Sequence, residues 1–200
     1  MLLKPLTLPV TLELCPKSKA LLAFLQRLAA DGAPVTVAEP APAAVLTPPA
    51  MGEYWQGQGG HYICTLPALL DMPARHLIAG AGQAEDLTFG PSEEISGADS
   101  HINGDANTVA LRSSGKKHPA ADWARAYTAD GHTDFFLPAR LDMVMAHICA
   151  KQLFKTSGYY WTSTQTSRGS AFVQAFEGGG SYWGYEDFGR RVRAFRVIPL

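Results

Sequence analysis

Residues 159–197 read YYWTSTQTSRGSAFVQAFEGGGSYWGYEDFGRRVRAFRV, and a period of two inside this stretch decides the fold class. Tyr159-Tyr160-Trp161-Thr162-Ser163-Thr164 predicts one strand and Ala171-Phe172-Val173-Gln174-Ala175-Phe176 a second. Gly178-Gly179-Gly180 supplies a turn. Arg191-Val192-Arg193-Ala194-Phe195-Arg196-Val197 is a terminal strand with arginine on alternate positions. Upstream the period lengthens. Arg140 to Lys151 predicts a helix with Leu141, Val144, Met145, Ile148 and Cys149 as its apolar stripe. His118-Pro119 to Tyr127 predicts another, with Ala121, Ala124 and Tyr127 on one face, and Asn107-Thr108-Val109-Ala110-Leu111 starts a third. Helices in the middle followed by antiparallel strands imply an α+β domain.

Working back toward the N-terminus, Thr133-Asp134-Phe135-Phe136-Leu137-Pro138 is a short buried segment that ends at proline. Residues 82–108 are polar and turn-rich and predict mostly loop, and Arg75-His76-Leu77-Ile78-Ala79-Gly80 predicts a short strand. Gly52 to Cys64 predicts a β-hairpin, with aromatic strand signals around a glycine turn. Residues 33–50 carry five prolines and read as a semi-rigid linker. The expected organisation is an N-terminal arm and amphipathic helix over 1–32, a Pro-rich linker over 33–51 and a main body over 52–200. The helix would use Leu21, Leu22, Phe24, Leu25 and Leu28. So small an appendage makes no core of its own, so it is expected to pack on the main body, on a neighbouring copy or on a larger assembly, in an anchoring or oligomerising role.

Composition narrows the function. Apolar residues are 46% and charged residues 18% of the 200, with a net charge of −1, as in a globular domain without a bulk field for DNA or acidic membranes. No stretch approaches the roughly 18 apolar residues of a membrane span, and Met1-Leu2-Leu3-Lys4-Pro5 does not read as a secretory leader. Cys15, Cys64 and Cys149 lie far apart, which excludes a CxxC motif and predicts reduced, buried thiols, with one disulfide left open.

Asp130-Gly131-His132-Thr133-Asp134-Phe135-Phe136-Leu137-Pro138-Ala139-Arg140 resembles the DGxTDWxLPxxxEL segment of the DUF1566 (Lcl C-terminal) family. Tyr160-Trp161-Thr162-Ser163-Thr164 resembles that family's YWSST, residues Ala171–Gly179 its AWVxxFxxG hairpin, and Arg191-Val192-Arg193-Ala194-Phe195-Arg196 its closing xVRAVR. Tyr54-Trp55 through Tyr62, Gly97–Ser100 and Gly104–Thr108 look like a longer version found in tailed phages and prophages. Phe135-Phe136 stands where the family has Trp-Arg, and Asp142-Met143 where it has Glu-Leu. The resemblance spans Gly52–Val197. It implies a C-type-lectin-like domain with antiparallel C-terminal strands, of the kind that serves in phages as a receptor-binding or other virion-surface module.

The chemistry visible in the residues is sparse. The lectin calcium signatures Glu-Pro-Asn, Gln-Pro-Asp and Trp-Asn-Asp are absent. Asp99-Ser100-His101-Ile102-Asn103-Gly104-Asp105 mimics the start of an EF-hand loop, but His101 and Ala110 occupy ligand positions, so side-chain capping of backbone N–H groups competes with calcium there. His61, His76, His101, His118, His132 and His147 show no HxH or HExxH spacing. Formylglycine-generating enzymes share the implied fold and depend on cysteine, yet no cysteine follows Cys149. There is no Gly-x-Ser-x-Gly elbow and no phosphate loop, and Ser163 and Ser170 have no evident base. The expectation is a protein that is not an enzyme and needs no cofactor or metal.

Thr164 to Arg190 carries the candidate site. Tyr182, Trp183, Tyr185 and Phe188 crowd into seven residues framed by glycine, without clean alternation, and predict an exposed loop. Exposed Tyr and Trp offer large contact area with few rotors to freeze. The candidate ligand-binding residues are Tyr182, Trp183, Tyr185, Glu186, Asp187, Arg168 and Gln165. Trp183 and Phe188 have a competing reading as local core. Arg190, Arg191, Arg193 and Arg196 read as structural ion pairs rather than as a nucleic-acid patch. The expected function is a phage virion-surface protein of tail or capsid, assembled in the host cytoplasm and homo-oligomeric. It would bind a host surface receptor or glycan and contact other virion proteins through residues 1–50, with no nucleic-acid partner and no membrane insertion. The alternatives are a purely structural assembly protein whose aromatic loop packs on neighbouring subunits, or a bacterial carbohydrate-binding module.

Overall fold

In the computed structural model, which describes residues 46–200, seven strands line up as β1-β2-β3-β7-β4-β5-β6. They are β1 (Tyr54–Trp55), β2 (Gly60–Leu66), β3 (Arg75–Leu87), β4 (Tyr159–Ser167), β5 (Ser170–Ala175), β6 (Ser181–Tyr185) and β7 (Arg190–Pro199). The helices are α1 (Gly104–Ser113), α2 (Pro119–Ala126) and α3 (Arg140–Ala150), so the class is α+β as expected. The arm and helix expected over 1–32, Cys15 and residues 33–45 of the linker lie outside the described residues. The compact unit described begins at Thr47.

All neighbouring strands are antiparallel except β7 and β4, which meet in parallel at Arg191 and Tyr160. That junction brings the chain's last strand into the middle of the sheet. Phe136 pairs with Phe195 of β7 through reciprocal backbone bonds of 2.8 and 2.9 Å, so the predicted buried segment before Pro138 is clamped to the same strand.

The sheet separates two apolar clusters, as the alternation of strand side chains requires. Tyr160, Phe176 and Phe195 pack with Phe154 and with Met143, Ala146 and Ala150 of α3. Trp161, Ala171, Val173, Val192 and Ala194 pack with Leu111 of α1 and Ala120, Ala121 and Ala124 of α2. Trp161 is fully buried, and its indole N–H donates to Leu87 O at 2.8 Å.

Four expectations are corrected. The stripe predicted on α3 faces the core only in part: Met145 and Cys149 pack against it, but its centre is Asp142, Met143, Ala146 and Ala150, and Ile148 is 68% exposed. Alanines let the helix approach the sheet where aromatic rings already fill the space. Asp142 fixes the helix's rotation by accepting the Ala139 N–H at 2.8 Å. Second, β3 extends to Leu87 through a stretch expected to be loop, because Gln83, Ala84 and Leu87 pair with β7 across two irregularities. Gly80 and Gly82 sit under the Tyr127 ring, which a Cβ would meet at 2.7 and 3.0 Å. Third, α1 begins at Gly104 rather than Asn107, with the Asn103 side chain accepting the Ala106 N–H. Fourth, the aromatic loop is strand β6, hydrogen-bonded along β5.

Arg191 pairs with Glu85 and Arg196 with Asp134, as an ion-pair reading expects. Arg193 differs: it is buried, and its guanidinium donates to Gly80 O at 2.6 Å and to Leu153 O while lying over the Phe154 ring. Cys64 is buried and Cys149 half-buried; both are free thiols, and burial pushes the Cys64 thiol up to about 12.

Candidate functional site

The β4–β5 hairpin and β6 position the candidate residues. Because strand side chains alternate, β6 divides its aromatics between two faces. Phe172 stands opposite Trp183, and Ser170 opposite Tyr185, so these four share one face. Tyr182 stands opposite Val173 on the other face, edge-on to Tyr159 at 6.1 Å between ring centroids. Tyr182, Trp183, Tyr185 and Phe188 are 54–60% exposed, so Trp183 and Phe188 are not local core.

On the first face, Arg168, Trp183 and Tyr185 line a cavity of about 450 Å³ with Thr166, Ser167, Gly169, Ser170 and Phe172. Trp183 and Tyr185 meet edge to face at 5.3 Å, which fixes both rings without covering them. Arg168 donates through Nε to Ser92 O at 3.2 Å. That contact leaves the two terminal nitrogens, a planar fork suited to a carboxylate or phosphate. Arg140, at the start of α3, lies 4.2 Å from the Phe172 ring centroid and donates to Ser181 Oγ, tying β5 and β6 to the helix.

Gln165 and Glu186, expected among the ligand-facing residues, are instead buried at 5% and 0% exposure. They bond to each other, Gln165 Nε2 donating to Glu186 Oε1 at 2.7 Å. Gln165 also donates to Glu93 O and accepts the Ile95 N–H, while the Glu186 backbone bonds Gly169 O and the Phe89 N–H. Their role is to fasten the 88–98 segment, the β4–β5 hairpin and the end of β6 together. Burial pushes the Glu186 carboxyl up to about 7, against the opposing pull of the Gln165 hydrogen bond, and its Oε2 has no partner among the described residues. Asp187 is exposed on the turn beyond β6 and lines no cavity with the others.

The Asp99–Asp105 segment is a capping loop. Ser100 Oγ accepts the Ile102 and Asn103 N–H groups, and Ser100 O accepts from Asn107 and Thr164. Asp105 pairs with Arg125. Ser100 and Asp105 thus serve here in capping and in an ion pair, while the Asp99 carboxylate takes part in none of these bonds. Ser163 Oγ accepts from Asn107, and Ser170 Oγ bonds Thr166 and Ser167, so neither serine faces a base.

No family model matches the chain, and no curated protein matches it.

Of the seven candidates, the cavity gathers three: Arg168, Trp183 and Tyr185. Phe172, Thr166, Ser167 and Ser170 were not singled out as ligand-facing. The one signal for them was their place on the same hairpin, since a strand's outward positions are known only once its register is fixed.

Proposed function

We propose that this chain is a virion-surface protein of a tailed phage or prophage, whose main body is a C-type-lectin-like domain displaying a ligand-binding face. The observation that carries the reading is the exposed Trp183–Tyr185 pair beside Arg168 around one cavity. Rigid aromatics held more than half exposed next to an available guanidinium are the residue types that dominate binding energy in interfaces. The fold assignment rests on the order of the DUF1566-like phrases and draws support from where they fall. They occupy the clamp to β7, then β4, β5 and β7 themselves, which are contiguous in one sheet. In this reading the domain binds a host receptor or glycan and catalyses nothing.

The test is Arg168→Ala combined with Tyr185→Ala. Both side chains are exposed, so folding and particle yield should stay near wild type, while host adsorption weakens by roughly 1–4 kcal/mol if either is a hot spot. Unchanged adsorption at normal yield would remove this face from the account. A collapse of yield would favour a structural role for it.

A further inference from the structure

We infer that β6 joins two copies of this chain edge to edge, as an antiparallel strand pair centred on Trp183. β6 ends the sheet, and its ladder with β5 runs without a register shift from Ser170↔Tyr185 to Gln174↔Ser181. The Glu186 N–H donates to Gly169 O, and the Ala175 N–H to Gly180 O. Bonding alternates along an antiparallel ladder, so Tyr182 and Gly184 direct their main-chain groups at β5. Ser181, Trp183 and Tyr185 therefore direct theirs away from the sheet. Open edges of this kind are normally blunted by charge, proline, a bulge or shortness. The opposite edge, β1, is two residues long. Ser181-Tyr182-Trp183-Gly184-Tyr185 has five residues and none of the other protections.

The occupant that fits is a second copy, because the strand's size pattern complements itself. A two-fold axis through Trp183 sets Trp183 against its counterpart and Ser181 of one copy against Tyr185 of the other, using the outward main-chain groups of Ser181 and Trp183 and the Tyr185 N–H, while the Tyr185 carbonyl also accepts the Phe188 N–H at 3.3 Å. On the other face it sets Tyr182 of one copy against Gly184 of the other. Arg190 lies over Gly184, where a Cβ would meet its Nη2 at 3.0 Å, and its buried Nε has no partner among the described residues. The incoming tyrosine ring meets that guanidinium, a cation–π pairing. A foreign peptide would need no such symmetry. The contact is isologous and closes at two subunits. Three half-exposed aromatics per copy plus the strand backbone put it at the small end of specific interfaces, about 1,200 Å² in total, so association is weak and concentration-dependent. The pairing aligns the Trp183–Tyr185 faces of both copies, but it stands or falls independently of what those faces bind.

Sedimentation velocity of the full chain, from about 1 to about 100 µM, should show reversible dimers. Trp183→Lys places like charges at the axis and should cut the dimer fraction at least about tenfold, with circular dichroism and Tm unchanged. Trp183→Cys tests the register. Opposed residues of a hydrogen-bonded pair have Cα atoms about 5.5 Å apart, within disulfide range, so copper–phenanthroline should give a covalent dimer on a non-reducing gel. Arg168→Cys, off the axis, should stay at the wild-type background. Monomers at every concentration, or self-association unaffected by Trp183→Lys together with no Trp183→Cys cross-link, would overturn the inference. Adsorption plays no part in these readouts, so failure here leaves the recognition reading intact.

Discussion

Trp161→Ala is expected to cost about 3–5 kcal/mol, a large share of the stability of a domain this size. The side chain is fully buried against Phe89, Val173 and Val192, where β4 meets β7 and β5. Truncation opens a cavity between strands that neighbours on both sides hold apart. It also removes the hydrogen bond that the indole N–H donates to Leu87 O. Trp161→Phe separates the two contributions: it keeps most of the apolar volume and loses the hydrogen bond, so it should cost about 1–3 kcal/mol. Urea titrations of both variants measure this. An alanine variant within about 1 kcal/mol of wild type would mean that this tryptophan does not hold the two halves of the sheet together.

The second large effect is on pH. Burial pushes Asp142 and Glu186 each up to about 7, although a hydrogen bond from Ala139 and the nearby Arg75 charge pull Asp142 the other way. In the unfolded chain both titrate near pH 4. An acid raised on folding binds its proton more tightly when folded. Its stabilising contribution is therefore complete below about pH 4, falls as pH climbs toward 7, and is gone above the folded value. Each group accounts for on the order of 2–4 kcal/mol across that window. His76 and His118 shift downward by burial and act in the opposite direction, destabilising the fold as pH falls. Asp142→Asn with Glu186→Gln isolates the two acids, because the histidine contribution cancels in the difference from wild type. Asparagine still accepts the Ala139 N–H, and glutamine still accepts from Gln165. The variant should match wild type near pH 4 and exceed it by several kcal/mol at pH 8. Parallel stability curves for the two proteins would show that neither carboxyl is raised.

The buried pair also explains why the candidate surface was only partly legible. Glu186 and Asp187 are adjacent acids in one polar turn, and nothing local distinguishes them. One is fully buried against Gln165 while the other stays exposed, because the 88–98 segment folds over the first and not the second. Trp183 carried a reading as local core that Tyr182 did not, yet both are exposed, and pairing with β5 sends them to opposite faces. An edge strand open on both sides carries no alternation of polarity, so β6 read as a loop. The α3 stripe was legible only in part. Leu141, Val144 and Ile148 stay outside the core, which takes Met143, Ala146, Ala150 and the Asp142 cap and is flanked by Met145 and Cys149.

The sequence by itself determined the α+β class, strands β2, β4, β5 and β7, the positions of α2 and α3, and the burial of Phe135-Phe136-Leu137. These rest on local signals: alternation, helical spacing, proline and glycine. It also located the exposed aromatics within one short stretch. The tertiary structure alone decided the strand order, the parallel meeting of β7 with β4, the rotation of α3 and the division of the candidate residues between a cavity and a buried clasp. Those depend on contacts between residues 20 to more than 100 positions apart, such as Gln165 with Glu186 and Arg193 with Gly80. No local periodicity links partners so far apart, so only the folded chain assigns their roles.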